Sequence, residues 1–256
     1  MKEKMKNRNS TMFKINAKGL HYKILNEKIH QAIRDGASEL VLDNINGQRY
    51  IGNALSGSTK IIVNGVPGND LAVFMDGPAI TVNSNGQDAI GNTMNAGEIV
   101  IHGDVGDIAG HSMRGGKVYI RGSAGYRTGI HMKSYKDLYP VIIIGGTARD
   151  FLGEYMAGGL IIVLGLGRED NEAIVGKYCG TGMHGGTIYI RGDIENYKLG
   201  KEVKKFRLDD ADENILRKHL KEYCPHFSLD LRKIMDSNFM KLVPYTHRPY
   251  GRLYAY

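Results

Sequence analysis

A short pattern recurs through the middle of this chain at fixed spacing, and it narrows the available folds more than any other feature. The pattern is G-x-x-M-x-(A/G)-G-x-(I/V)-x-I-x-G. One copy places Gly91, Met94, Gly97, Ile99, Ile101 and Gly103; the next places Gly110, Met113, Gly116, Val118, Ile120 and Gly122. Met75, Met94, Met113 and Met132 follow one another at intervals of 19 residues, with Gly129 three residues before Met132. Gly153, Met156 and Gly159 form a further copy, as do Gly180, Met183 and Gly186, after longer steps of 24 and 27 residues. The extra residues fall at 134–140 and 168–178, which read as loops bulging from single turns of the repeat. A weaker copy, IIVNG, stands at 61–65.

Within each copy the apolar residues alternate. Val118 and Ile120 share one face of a strand, Tyr119 and Arg121 the other. The glycines flanking each strand suit sharp corners. A 19-residue unit cannot bury an apolar face alone, whereas stacked units cover one another. Strand, corner and strand with no helix between copies predict a mainly β protein. The expected architecture is a single-stranded, right-handed parallel β-helix whose coils stack about 4.8 Å apart. The recurring Met is expected to form an internal ladder, its flexible thioether filling gaps at a corner.

The chain divides on this reading into an N-terminal arm with a helix–strand cap (1–49), the coils (50–192), and a C-terminal helix with an extended tail (193–256). Residues 1–12 read as a loose terminus, and residues 13–24 have some strand character. A short helix is expected over 25–36, with Asn26 as N-cap and Gly36 as its stop, then a strand over 38–44. Residues 209–223 read as a second helix, acidic at its start and basic toward its end. A solenoid end leaves strand edges and core side chains uncovered, so the two helical units are the natural caps. The segment 238–256 lacks regular periodicity and reads as an extended tail.

Composition removes several function classes. The chain has 256 residues, and its 34 glycines, well above the usual share, are accounted for by the corners. No apolar run is long enough for a transmembrane helix. The basic N-terminus lacks the apolar core of a secretory signal, and the expected location is the cytoplasm. The two cysteines, Cys179 and Cys224, have no metal-like spacing and are too few for an iron–sulfur cluster. The net charge of +7 comes without a nucleic-acid motif, so an acidic protein partner or plain solubility accounts for it. GLGRED at 165–170 is not a dinucleotide fingerprint, and no G-x-S-x-G elbow or P-loop occurs.

The densest polar cluster lies at 125–135, where Tyr126, Arg127, His131 and Lys133 have the chemistry to line an anion or carboxylate site. They serve equally to brace the 134–140 insertion. Glu154 and His184 sit near corners and have the chemistry of an acid–base pair, or are simply satisfied corner residues. His102, His111, His131 and His184 do not make a metal set.

The tandem GEYMAGGLIIVLG and GTGMHGGTIYIRG, together with GNTMNAGEIVIHGDVGD and GYRTGIHMK, resemble the GXGXG domain. That is the C-terminal β-helix domain of the glutamate synthase large (alpha) subunit, here similar to its stand-alone archaeal-type form. The resemblance spans residues 13 to 226. It implies a non-catalytic scaffold subunit of a split glutamate synthase, lying between the glutaminase (amidotransferase) and FMN-binding chains. FMN and an iron–sulfur cluster are then expected on those partners, with none on this chain, and no nucleic acid or membrane among its contacts. Residue 2 is Lys2, where the family's amidotransferase carries its cysteine. The equivalent component of formylmethanofuran dehydrogenase shares the domain and is the alternative. A self-sufficient enzyme with a site near His131 and Glu154 is a third reading, and a homo-oligomer is open.

Overall fold

The computed structural model describes residues 11–169 and 171–245. Residues 1–10 and the part of the expected tail beyond 245 lie outside them. The chain is a parallel β-solenoid. Its strands are β1 (Met12–Asn16), β2 (Glu39–Asn46), β3 (Lys60–Val66), β4 (Asp76–Val82), β5 (Ala96–Ile101), β6 (Lys117–Ile120), β7 (Val141–Ile144), β8 (Ala157–Val163), β9 (Gly185–Arg191), β10 (Val203–Arg207) and β11 (Phe239–Pro244). The helices are α1 (Tyr22–Arg34), α2 (Asp210–Tyr223) and the short α3 (Leu231–Met235). All these strands join one sheet in the order β1 to β9, then β11, then β10.

The register stacks equivalent repeat positions. Phe13, Leu40, Ile61, Ile80, Ile99, Val118, Ile142, Ile161 and Ile188 pair in succession along the sheet. From Leu40 on, each of these side chains is buried in one continuous core, with Phe13 packed against it at the end. The ladder begins at β1, well before residue 50, so the N-terminal strands are rungs of the solenoid. Helix α1 links the first two rungs and closes that end, burying Leu25, Ile29 and Ala32 in the same core. Its cap is His21, whose Nδ1 accepts from Lys23 N, and Asp35 ends it. Asn26 lies inside the helix instead of capping it. Its Nδ2 donates to the carbonyls of Tyr22 and Arg49, a tie to the first coil that a capping role would forgo.

The wall opposite the strands is built from tight turns, and it explains the G-x-x-M signature. Gly110 has φ +70°, and a Cβ there would lie 2.3 Å from Ile142 Cδ1 of the next coil. The slot faces inward and is already occupied. Three residues on, each Met fills the interior, and Met75, Met94, Met113, Met132 and Met156 are all fully buried. The Met of one coil then rests on a glycine of the next: a Cβ on Gly116 would meet Met94 Cε at 2.5 Å, and one on Gly186 would meet Met156 Cε at 2.5 Å. A second interlock holds the remaining corner. Asp104 Oδ1 accepts from Ser123 N and occupies the space where a Cβ of Gly122 would be; Asp107 does the same for Tyr126 N and Gly125.

Two expectations about the C-terminal region change. The outward strand face carrying Tyr119 does not meet solvent. Helix α2 lies along this flank, not across the solenoid's end, and buries Val100, Tyr119, Ile143, Ile162 and Tyr189 against Leu216, Leu220 and Tyr223. Tyr223 Oη donates to Ile120 O at 2.9 Å, Tyr189 Oη donates to Asp212 Oδ1 at 2.6 Å, and Tyr119 Oη donates to Glu222. A capping box at Asp209 and Asp212 starts the helix. The segment expected to be an irregular tail begins instead with a strand. β11 pairs antiparallel with β9, and its Leu242 continues the inner ladder opposite Ile188.

The interlock makes Gly110→Ala costly in two ways. Positive φ costs about 1–2 kcal/mol, and the overlap with Ile142 adds roughly 1–3 kcal/mol of overpacking. Gly19 shares the conformation (φ +73°) but has open space around it, so Gly19→Ala should show only the first cost. Urea unfolding of the two variants tests the difference. The flank also predicts an acid response. His219 on α2 is 8% exposed with Nδ1 unpartnered, and burial is the main cause that lowers its pKa, with Lys218 and Lys117 adding to it against Glu222. Burial likewise lowers His102, helped by Arg121 and His226. A histidine kept neutral on folding contributes its full stability above its unfolded pKa of about 6.5 and loses it as pH falls below that. Stability should therefore drop as pH falls below about 6.5, by less in His219→Leu.

Candidate functional site

Each coil turns its wall through three residues of positive φ, two residues apart. The middle one is the inward glycine, replaced by Ala72 in one coil. The outer two point away from the core, and their backbone N–H groups bond to the next coil: Arg127 N to Asp150 O, His131 N to Glu154 O, Phe151 N to Lys177 O and Tyr155 N to Thr181 O. The cross-coil ladder thus imposes the conformation whatever the side chain, at about 1–2 kcal/mol for each residue other than glycine. The occupants form two outward columns. In the last three coils these are Arg127, Phe151 and Tyr178 in one, and His131, Tyr155 and Gly182 in the other.

The columns are ordered by contact among themselves. The rings of Phe151 and Tyr178 stack at 5.0 Å and those of His131 and Tyr155 at 5.3 Å, each pair within 15° of parallel. The Arg127 guanidinium sits over Phe151 at 4.6 Å. The Tyr155 ring lies where a Cβ on Gly182 would stand. Between the columns is Glu154, its side chain 9% exposed, with Oε2 accepting from Arg127 Nε at 2.8 Å. His111 meets His131 edge to face at 6.1 Å and contacts Asn92 Oδ1 through Nδ1. Burial lowers its pKa first and the charge of His131 second, against Asp70.

The structure brings Arg127, His131 and Glu154 together and leaves the other polar candidates at the margin. Tyr126 is exposed, its ring beneath Arg149 at 5.6 Å. Lys133 is exposed, and its backbone N bonds to Met113 O. His184 is exposed, with Nδ1 near Gly182 O. Glu154 and His184 are not hydrogen-bonded to each other; the carboxylate is held by Arg127. Among the described residues no group of three or more His, Cys, Asp or Glu is placed to hold a metal ion, and no helix is long and apolar enough to cross a membrane. Cys179 is buried, and burial pushes its thiol up to about 12. A cleft of about 360 Å³ beside Arg168, Glu172, Arg191 and Lys198 mixes both signs of charge.

Sequence reasoning picked the polar members of this wall and missed Phe151, Tyr155 and Tyr178. The signal was present: they occupy the slots two before and two after the coil glycine, the same slots as Arg127 and His131. Similarity to known proteins runs along the whole solenoid. A family model described as GXGXG motif matches residues 20–246. An uncharacterized protein of Methanocaldococcus jannaschii is 47% identical over 251 residues, which is 94% of this chain and 95% of that protein.

The Arg127–Glu154 pair predicts an asymmetry. Arg127→Ala leaves a buried carboxylate without its cation and should cost about 1–3 kcal/mol. Glu154→Gln leaves a guanidinium that water still reaches and should cost less than about 1 kcal/mol. Thermal melts of both variants, side by side, decide the order.

Proposed function

Since the chain belongs to the GXGXG family, that of the C-terminal domain of the glutamate synthase alpha subunit, we propose that it is the non-catalytic β-helix subunit of a split glutamate synthase. In this reading a separate amidotransferase chain hydrolyses glutamine to glutamate and ammonia. A separate FMN-binding chain condenses that ammonia with 2-oxoglutarate and reduces the product to glutamate. The present chain holds the two in place in the cytoplasm, and its own residues carry no step.

One observation carries the proposal: every fixed position of this chain's repeat is spent on packing. The glycines admit Ile, Val, Met or Asp side chains from the neighbouring coil, the methionines fill the interior, and the strand residues form the ladder. A signature that is entirely architectural supports a part whose job is shape. Donor chemistry agrees. The chain's two cysteines are both buried, short of the roughly four thiolates an iron–sulfur cluster takes, so the cluster is assigned to a partner, and FMN is placed with it on the family resemblance alone. The alternative of a self-sufficient enzyme near His131 and Glu154 draws little support from a carboxylate committed to an arginine.

Reconstitution tests this. Purified amidotransferase, FMN chain and present chain together should form glutamate from glutamine, 2-oxoglutarate and a reductant. Leaving out the present chain should uncouple the two half-reactions, so that glutamine is hydrolysed without matching consumption of 2-oxoglutarate. Turnover of either substrate by this chain alone would sink the proposal.

A further inference from the structure

The outward columns of the turn wall hold side chains that the fold does not require. The same positive-φ slots are filled by Ala54 and Ala89 in earlier coils and by Gly182 in the last, so small residues serve the turn; earlier coils carry at most one bulky apolar or aromatic residue each there, Tyr50, Phe74 or Ile108. In the last three coils the slots instead hold Arg127, His131, Phe151, Tyr155 and Tyr178, all at φ between 53° and 65°. Bulky residues are uncommon in that conformation. The three large rings there are not taken into the core: Tyr178 is 52% exposed, Tyr155 is 39% exposed and Phe151 is partly buried at the surface. Strain accepted at an exposed, preformed cluster is the mark of a site with work beyond folding.

From this strip, and resting on the scaffold reading above, we infer that the turn wall of the last three coils, centred on Arg127, Phe151, Tyr155 and Tyr178, is the docking surface for an acidic face of a partner subunit. Tyr and Arg are the residues that dominate binding energy at protein interfaces. Here their rings are stacked before any partner arrives, so little side-chain freedom remains to be lost on binding. The charge pattern selects the partner's sign. Glu154 is neutralised by Arg127, and the nearby Asp107 and Asp150 each accept a backbone N–H from the next coil. The cations Lys133, Arg149 and Lys177 are exposed and, among the described residues, make no ion pair. Three such cations against the two carboxylates leave an excess of positive charge around the aromatic anchors, which fits carboxylates on the other side and opposes contact with a second copy of this net-positive chain.

The test uses the full chain with purified amidotransferase and FMN-binding chains from the same organism. The triple variant Phe151→Ala, Tyr155→Ala, Tyr178→Ala places at these slots a residue that two other coils already carry, and its circular dichroism and melting should show a folded solenoid. Phe74→Ala, an exposed aromatic at an equivalent slot of an early coil, is the matched control. The triple variant should raise Kd for one of the two chains by roughly 30-fold or more, the loss of at least one interface anchor. The control should leave it unchanged, and Lys133→Glu with Lys177→Glu should slow association and flatten its salt dependence. Wild-type affinity in the folded triple variant, or equal loss in the control, overturns the docking surface and leaves the scaffold proposal standing. If the wild-type chain binds neither partner, both fall. A wild-type dimer that the triple variant dissolves, or an oligonucleotide complex lost with the same residues, would assign the wall to a different occupant and overturn the inference.

Discussion

Each coil of this solenoid is completed by side chains from its neighbours. Ile142 Cδ1 lies against the Cα of Gly110, and Met94 Cε against that of Gly116, and the arrangement repeats along the stack. A glycine in one coil is therefore a binding site for a branched or sulfur-bearing side chain of another. Neither partner has a reason to be where it is without the other. This reciprocity makes the 19-residue period a structural necessity, since shifting one coil by a single residue would place Cβ atoms where methyl groups already stand. It also confines insertions to places where the chain is outside the interlock, as within 134–140 and ahead of Ile174, where Val175 and Gly176 rejoin the stack.

The interlock has a consequence for the surface. Because backbone N–H groups of the turn wall bond upward and downward to adjacent coils, the wall conformation is fixed independently of the residues that project from it. The outward slots are free to vary and are held to a rigid spacing. That is a good base for an interaction surface: side chains in register, stacked on one another, with their backbones unable to yield. The Arg127–Glu154 pair and the Phe151–Tyr178 and His131–Tyr155 stacks are such constructions, made from residues one coil apart.

The flank is governed by different physics. Tyr119 and Tyr189 project from the sheet on the side away from the core, and exposed they would leave an apolar stripe along five strands. Helix α2 covers the stripe and satisfies both hydroxyls with carboxylates, Glu222 and Asp212, that are themselves held by Lys117 and Lys241. The C-terminal segment then returns as β11, placing Leu242 over Ile188 and converting the last parallel edge into an antiparallel one. The two halves of the closure are thus apolar continuation inside and charged hydrogen bonding outside.

The coiled architecture and the inward Ile and Met ladders were legible from residue order, because each depends on a contact between residues one period apart; the second inserted loop is shorter than residue order suggests, since Ile174 to Tyr178 already belong to the next coil. Helix α2 itself was legible too, from its charge pattern. Its location was not: Tyr119 meets Glu222, and Ile120 meets Tyr223, across 103 residues with no repeat connecting them. The gathering of Phe151, Tyr155 and Tyr178 beside Arg127 had a periodic signal but no local one, since their slots carry alanine in some coils and aromatics in others. Periodicity fixes what repeats. Where the chain leaves its period, only the folded stack decides which surfaces meet, because desolvation and hydrogen bonding there depend on neighbours that the linear order does not bring together.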